Sequence, residues 1–158
     1  LSGGTSLVLR RIAMNLDSWD GVDRVGREFA VGRTLDTGAP LTGTAEHDVP
    51  DFEATTASGL PVISDVAHIR RAQPADGHKG IVRLSYNYDD SPAPGATADT
   101  GLLFGSWQAD VGAQFTPIQT RLIEGDLLNT WTTPVGSAVF AIPPGCAPGG
   151  HIGDQVLA

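Results

Sequence analysis

The sequence predicts an α+β fold of the split βαβ, ferredoxin-like kind, with an antiparallel sheet and long loops. Three observations point there. Near the amino terminus the apolar residues alternate with a period of two, then fall to helical spacing. Further along, two short apolar runs precede a second helical pattern and a third follows it. The resulting order of strand, helix, strand, strand, helix, strand is that of a split βαβ unit, and no repeat of fixed period is visible.

Each element has its own signal. Val8, Arg10, Ile12 and Met14 share one face of an extended segment and Leu7 and Leu9 the other, so residues 6–15 read as a strand with burial on both sides. Trp19, Val22, Val25, Phe29 and Ala30 recur near helical spacing, with Asp17 or Ser18 placed to cap and Gly32 placed to stop the helix. Residues 32–64 are rich in Gly, Pro, Thr and Asp and read as a long irregular connection, a length usually associated with function or mobility. Ile81 to Tyr88 and Gly101 to Trp107 read as strands, separated by an exposed loop from Asp89 to Thr100. Val111, Phe115, Ile118 and Leu122 give a helix over 110–124, with Pro117 kinking it or sitting in its first turn. Ser137 to Ile142 supplies the last strand, ended by Pro143-Pro144-Gly145, and the tail reads as irregular.

Composition sets limits. At 158 residues the chain is expected to form a single domain, 1–158. A net charge of −8 with ten Lys and Arg argues against a surface that tracks phosphates. Cys146 is the only cysteine, which rules out an internal disulfide and a thiolate metal cluster. No stretch approaches the eighteen apolar residues of a membrane helix. Because the chain opens on Leu1, an upstream segment is expected, either removed by processing or cut at a chosen boundary.

One segment is more informative than the rest: Ala67-His68-Ile69-Arg70-Arg71-Ala72-Gln73-Pro74, with Arg83 fifteen residues after the histidine in Ile81-Val82-Arg83-Leu84-Ser85-Tyr86-Asn87-Tyr88. Around it, in order, stand Leu9-Arg10-Arg11-Ile12-Ala13-Met14-Asn15-Leu16, Trp19-Asp20, Gly32-Arg33-Thr34 and Gly38-Ala39-Pro40-Leu41. Gly101-Leu102-Leu103-Phe104, Gln114 to Leu122 and Gly136 to Gly145 follow. This ordered set resembles the carboxy-terminal, haem-binding half of the dye-decolourising peroxidases, a family built from two ferredoxin-like halves. The match runs nearly the whole length of the chain.

The resemblance implies haem b as cofactor, with His68 as the axial ligand of its iron. Imidazole binds ferric haem, and a hydrogen bond on its other nitrogen raises its basicity. From the bare sequence His68 is an ordinary surface or helix-end histidine. Arg83 resembles the family's distal arginine, whose permanent charge can orient hydrogen peroxide and stabilise charge on the departing oxygen; the structural alternative is a strand arginine paired with a carboxylate. The residue after it is Leu84, where many relatives carry a polar one, which bears on how a propionate is held. Arg70 and Arg71 either neutralise haem propionates or face water. Leu103 and Phe104 are expected to wall the distal pocket. For the partner of His68 three residues are candidates, Glu124, Asp126 and Asn129; Asn129 is the first choice by family position, and Asp126 would make the imidazole more anionic. Trp107, Trp131, Tyr86 and Tyr88 are redox-capable, although packing is the commoner fate of such residues. His47, His78 and His151 lie in loop-like contexts and read as solvated.

The family's GxxDG segment, whose aspartate sits over the distal haem face, has no counterpart here. Trp19-Asp20-Gly21-Val22-Asp23-Arg24 lacks the second glycine. The functional expectation is therefore a haem peroxidase subunit or fragment that oxidises dyes or phenolics with hydrogen peroxide, its distal aspartate coming from a second polypeptide or fragment carrying the amino-terminal half. A haem-carrying or haem-handling protein with little turnover is the second reading, and a half-domain without haem, kept for assembly, the third. A haem needs walls on both faces, so an oligomer is expected. By family, with a low lysine content, secretion is the expected location, a cytoplasmic one the alternative.

Overall fold

A computed structural model describes residues 3–74, 79–95 and 98–154. The chain divides into two compact units, one of residues 1–14, 76–117 and 133–158, the other of 15–75 and 118–132.

The first unit is a four-stranded sheet. Its strands are β1 (Thr5–Met14), β2 (Val82–Asp90), β3 (Asp99–Gln108) and β4 (Thr132–Ile142), ordered β2-β3-β1-β4, with β3 antiparallel to both β1 and β2. That order is the ferredoxin-like one, and the α+β class expected from the sequence holds. β4 begins at Thr132, five residues before the apolar run that marked it, and it contains Pro134. A proline is tolerated there because β4 lies at the edge of the sheet. The hairpin strands β2 and β3 are also longer than expected, so the connection shortens to 91–98, whose described residues, 91–95 and 98, are exposed.

Register assigns the faces. Val8 pairs with Ser106 and Ser6 with Gln108; Val8 and Ser106 are fully buried and Gln108 nearly so. The buried polar groups satisfy one another, since the Ser106 hydroxyl donates to Gln108 Oε1 at 2.9 Å and Gln108 Nε2 to the Ser6 carbonyl at 3.3 Å. On the opposite face, Leu9, Val82, Leu84, Tyr86 and Leu103 are all exposed. These exposed apolar side chains therefore share one face of the sheet. At one end of that face Arg11 is bonded to Asp90 and Asp99, each at 2.9 Å, and lies 4.1 Å over the Tyr88 ring. Its guanidinium is held charged by Asp99 first, then by Tyr88 and Asp90.

In the second unit the expected helix after β1 is two: α1 (Leu16–Asp20) and α2 (Arg24–Val31). Asx caps divide them. Asn15 accepts from the Ser18 amide at 3.0 Å, and Asp23 accepts from the Gly26 amide at 2.7 Å, which starts a new helix after Gly21. Gly32 ends α2 in the left-handed region, φ 86°, as expected. The long connection that follows is irregular and leads to α3 (His68–Arg71), a single turn. The last helical pattern splits into a π turn, Val111–Phe115, which belongs to the first unit, and α4 (Thr116–Gly125), which belongs to the second from Ile118 onward; Pro117 sits in the first turn of α4, where no amide donor is needed. A 3₁₀ turn, Leu127–Thr130, completes the unit.

Candidate functional site

α3 exposes its histidine because of what lies beneath it. Ala67 and Ile63 are fully buried, while the His68 side chain keeps 28% of its surface. The imidazole is nonetheless fixed. Its Nδ1 lies 2.6 Å from Asp126 Oδ2, and the Asp126 side chain is only 4% exposed. The other carboxylate oxygen, Oδ1, accepts from the Leu128 amide at 3.0 Å, so Asp126 is held as the amino-terminal cap of the 3₁₀ turn. A buried, doubly bonded carboxylate is an acceptor, which makes Nδ1 the protonated nitrogen and leaves Nε2 with its lone pair facing outward. Of the three polar candidates, the structure selects Asp126. Asn129, the first choice, is placed otherwise: its amide donates to the Leu122 carbonyl at 2.8 Å, closing the end of α4. Glu124 is exposed. A helix-start aspartate has a structural explanation of its own, and Asp126 takes both roles, capping the turn with one oxygen and meeting His68 with the other.

Arg70 and Arg71 do not simply face water. Arg70 donates from Nε and Nη2 to the Ile63 carbonyl at 3.0 and 2.8 Å, and from Nη2 to the Phe52 carbonyl at 2.5 Å, with its guanidinium 5.1 Å from the Phe52 ring. Arg71 donates to the Asp65 carbonyl at 2.6 Å. Both tie α3 to the long connection before it. Trp131 packs edge-on against Trp19, with ring centroids 5.0 Å apart. Asp20 and Asp23, in the segment that lacks the second glycine, pair with Arg27 and cap α2.

In the sheet unit, Arg83 lies on β2 opposite Ser106 of β3 and is exposed. Among the described residues it has neither an ion pair nor a side-chain hydrogen bond, so the carboxylate-paired alternative does not apply within them. Phe104 pairs with Ser85, two residues along from Arg83, and thus shares its face. Leu103 pairs with Tyr86 and points to the other side. The expectation that both wall one pocket is therefore corrected, since neighbours in a strand cannot face the same way. Phe104 instead meets Phe115 at 6.3 Å. Trp107 and Tyr86 lie on the face of Leu103, and Tyr88 under Arg11. His47 and His151 are exposed, His151 bonded to Asp154. His78 lies outside the described residues.

A bare metal ion has no nest here: among the described residues no three His, Cys, Asp or Glu side chains could hold one. One outward imidazole, oriented by a buried carboxylate, is instead the donor set suited to an iron whose other ligands come from a macrocycle.

The model of the family described as "Dyp-type peroxidase, C-terminal" matches residues 1–147. The chain belongs to the DyP-type peroxidase family. It is 38% identical to a dye-decolorizing peroxidase of Thermobifida fusca over 99% of its own length and 37% of the relative's. To a deferrochelatase of Escherichia coli K12 it is 34% identical, over 90% of this chain and 34% of that one. Among solved structures, a DyP-type peroxidase from Cellulomonas bogoriensis aligns at TM-score 0.94 and 59% identity, covering 98% of this chain and 43% of that one. Ferric DtpA from Streptomyces lividans aligns at TM-score 0.91 and 37% identity, with the same two coverages. The chain thus spans little more than a third of the length of its curated relatives, and it corresponds to the carboxy-terminal part of this haem-dependent family.

Proposed function

We propose that this DyP-family chain forms the haem-binding part of a hydrogen-peroxide-dependent peroxidase, with His68 Nε2 ligating the iron of haem b. The observation that carries the reading is the 2.6 Å contact between His68 Nδ1 and the buried Asp126 carboxylate. It fixes the tautomer, presents Nε2 and makes the imidazole a stronger donor. Haem bound there would supply the redox chemistry by which hydrogen peroxide is reduced and two one-electron donors, such as dyes or phenolics, are oxidised. Arg83 would orient the peroxide and stabilise the charge that develops on the leaving oxygen, a role that its lack of partners among the described residues leaves open to it. Arg70 and Arg71 keep a propionate-facing role only alongside the carbonyl bonds they already make.

The distal carboxylate, in the same proposal, comes from a second polypeptide or from further chain of the same protein. Two observations support this. The relatives are far longer than the matched region, and the exposed apolar face of the sheet needs a cover. The test is turnover of a phenolic donor by this chain alone and with an amino-terminal half from a relative added. Activity that appears only on mixing supports the split site; full turnover by the chain alone overturns it.

The deferrochelatase relatives favour a second reading, haem handling with little peroxidase turnover. Iron release from added haem, followed beside peroxide consumption, separates the two.

A further inference from the structure

We infer that the segment from Arg121 to Leu127 is a clamp that fixes the orientation of His68, with Arg121 as its positioning residue; this rests on the reading of His68 as the iron ligand. α3 is four residues long and its N-cap, Ala67, makes no side-chain capping bond. A single turn leaves most of its amides and carbonyls without helical partners and is not stable by itself. Three carbonyls in and beside the turn find donors in one stretch of chain. Arg121 Nη1 donates to the Gln73 carbonyl at 2.9 Å and Nη2 to the Arg70 carbonyl at 3.1 Å, which caps the carboxy-terminal side of the turn. At the other side the Leu127 amide donates to the Val66 carbonyl at 2.9 Å. Between these, Asp126 holds the imidazole. The turn is thus gripped before, at and after His68 by residues within seven positions of one another. Gly125 belongs to the same grip: a Cβ there would lie 2.7 Å from Arg71 Nη2 and 2.8 Å from Cζ, so the guanidinium crosses the bare backbone at this point.

The consequence concerns ligand geometry. The Asp126 bond sets the tautomer, but it sets the plane of the ring only if α3 itself cannot roll. Arg121 prevents that roll without touching haem, substrate or His68. Its planar fork suits two carbonyls at once, which a single ammonium does not. Removing it should let the ring depart from the Asp126 carboxylate, lower its basicity and weaken iron binding, as loss of outer-shell support does at other metal sites.

The test uses the intact protein with haem added, in Arg121→Met, Arg121→Lys and Gly125→Ala forms, beside His68→Ala. Three quantities are read: haem affinity by titration, the Fe(III)/Fe(II) midpoint potential, and the Nδ1 proton resonance of His68 in the haem-free protein. Arg121→Met is expected to bind haem roughly tenfold more weakly, to raise the potential and to lose the slowly exchanging Nδ1 proton. Arg121→Lys should recover part of each, and Gly125→Ala should move all three in the direction of Arg121→Met by displacing Arg71. A folded Arg121→Met protein with wild-type affinity, potential and Nδ1 resonance overturns the inference. Should that variant not fold, Arg121→Lys and Gly125→Ala decide by the same criteria. Unchanged haem binding in His68→Ala would instead overturn the ligand reading itself, whatever the Arg121 variants do.

Discussion

His68 Nδ1 and Asp126 Oδ2 stand 2.6 Å apart, fifty-eight residues distant in sequence, with the carboxylate buried and the imidazole half-open. A histidine held this way is an oriented donor rather than a surface side chain. Asp126→Asn replaces the acceptor with a group that can donate to Nδ1 and so favours the tautomer with its proton on Nε2, the wrong one for iron. The expected result is a fall in haem affinity of about 10- to 100-fold. In the haem that still binds, a midpoint potential about 60 mV higher would correspond to a tenfold loss of preference for Fe(III). Haem titration and spectroelectrochemistry check both.

Asn129→Ala provides the contrast. Asn129 bonds the Leu122 carbonyl, and its loss should cost about 1 kcal/mol of stability while leaving haem affinity and potential at wild-type values. A shift in the potential would return Asn129 to the site. Thermal unfolding of the haem-free protein and the spectrum of the loaded one distinguish the outcomes.

Arg83 has no partner to lose among the described residues, so Arg83→Leu should change stability by no more than about 0.5 kcal/mol. Haem binding should persist. Its reaction with hydrogen peroxide should slow by roughly 10²- to 10³-fold, the usual cost of deleting a charge-stabilising donor. Stopped-flow mixing with peroxide reads the rate directly.

Much of this was legible in the sequence. Period-two alternation located β1, and Gly32 marked the end of α2. What the sequence concealed was which local capping bond would win: Asn15 and Asp23 divided one helical pattern into two, and Asp126 and Asn129, three residues apart, took different partners. Leu103 and Phe104 show a different limit. Adjacent apolar residues in a strand read as one hydrophobic run; alternation puts them on opposite faces, and the register with Arg11 and Arg10 says which face each takes. The carbonyl bonds of Arg70 and Arg121 reach across residues 52–73 and could not be read from spacing at all.

Gly32→Ala should destabilise the helical unit by about 2 kcal/mol or more, combining a left-handed backbone with a steric conflict. At φ 86° the new Cβ would lie 2.7 Å from Ile69 Cγ1 and 3.2 Å from the Ala67 Cβ. Because those residues flank His68, haem affinity should fall along with the unfolding midpoint. Chemical denaturation and haem titration of the same sample test the link.

Asp48 carries a prediction about acid. Its carboxylate accepts from the Thr44 amide at 2.7 Å and the Ala45 amide at 2.9 Å, and these bonds hold it below the ordinary carboxylate range. A carboxylate with a depressed folded value stabilises the fold fully above its unfolded value, about pH 4, and loses that contribution as pH falls through the folded value. The Thr44 and Ala45 amide resonances should therefore titrate with a midpoint below that of an ordinary aspartate and stop titrating in Asp48→Asn. A midpoint at the ordinary value would show that the turn does not form in solution.

The central claim, that His68 is an iron ligand, is tested most directly by the ultraviolet–visible spectrum of the haem-titrated protein beside His68→Ala. The account predicts a saturable Soret band with one haem per chain that is lost, or converted to that of weakly held haem, in the variant. A protein that stays colourless, or a Soret band identical in the two, would contradict it.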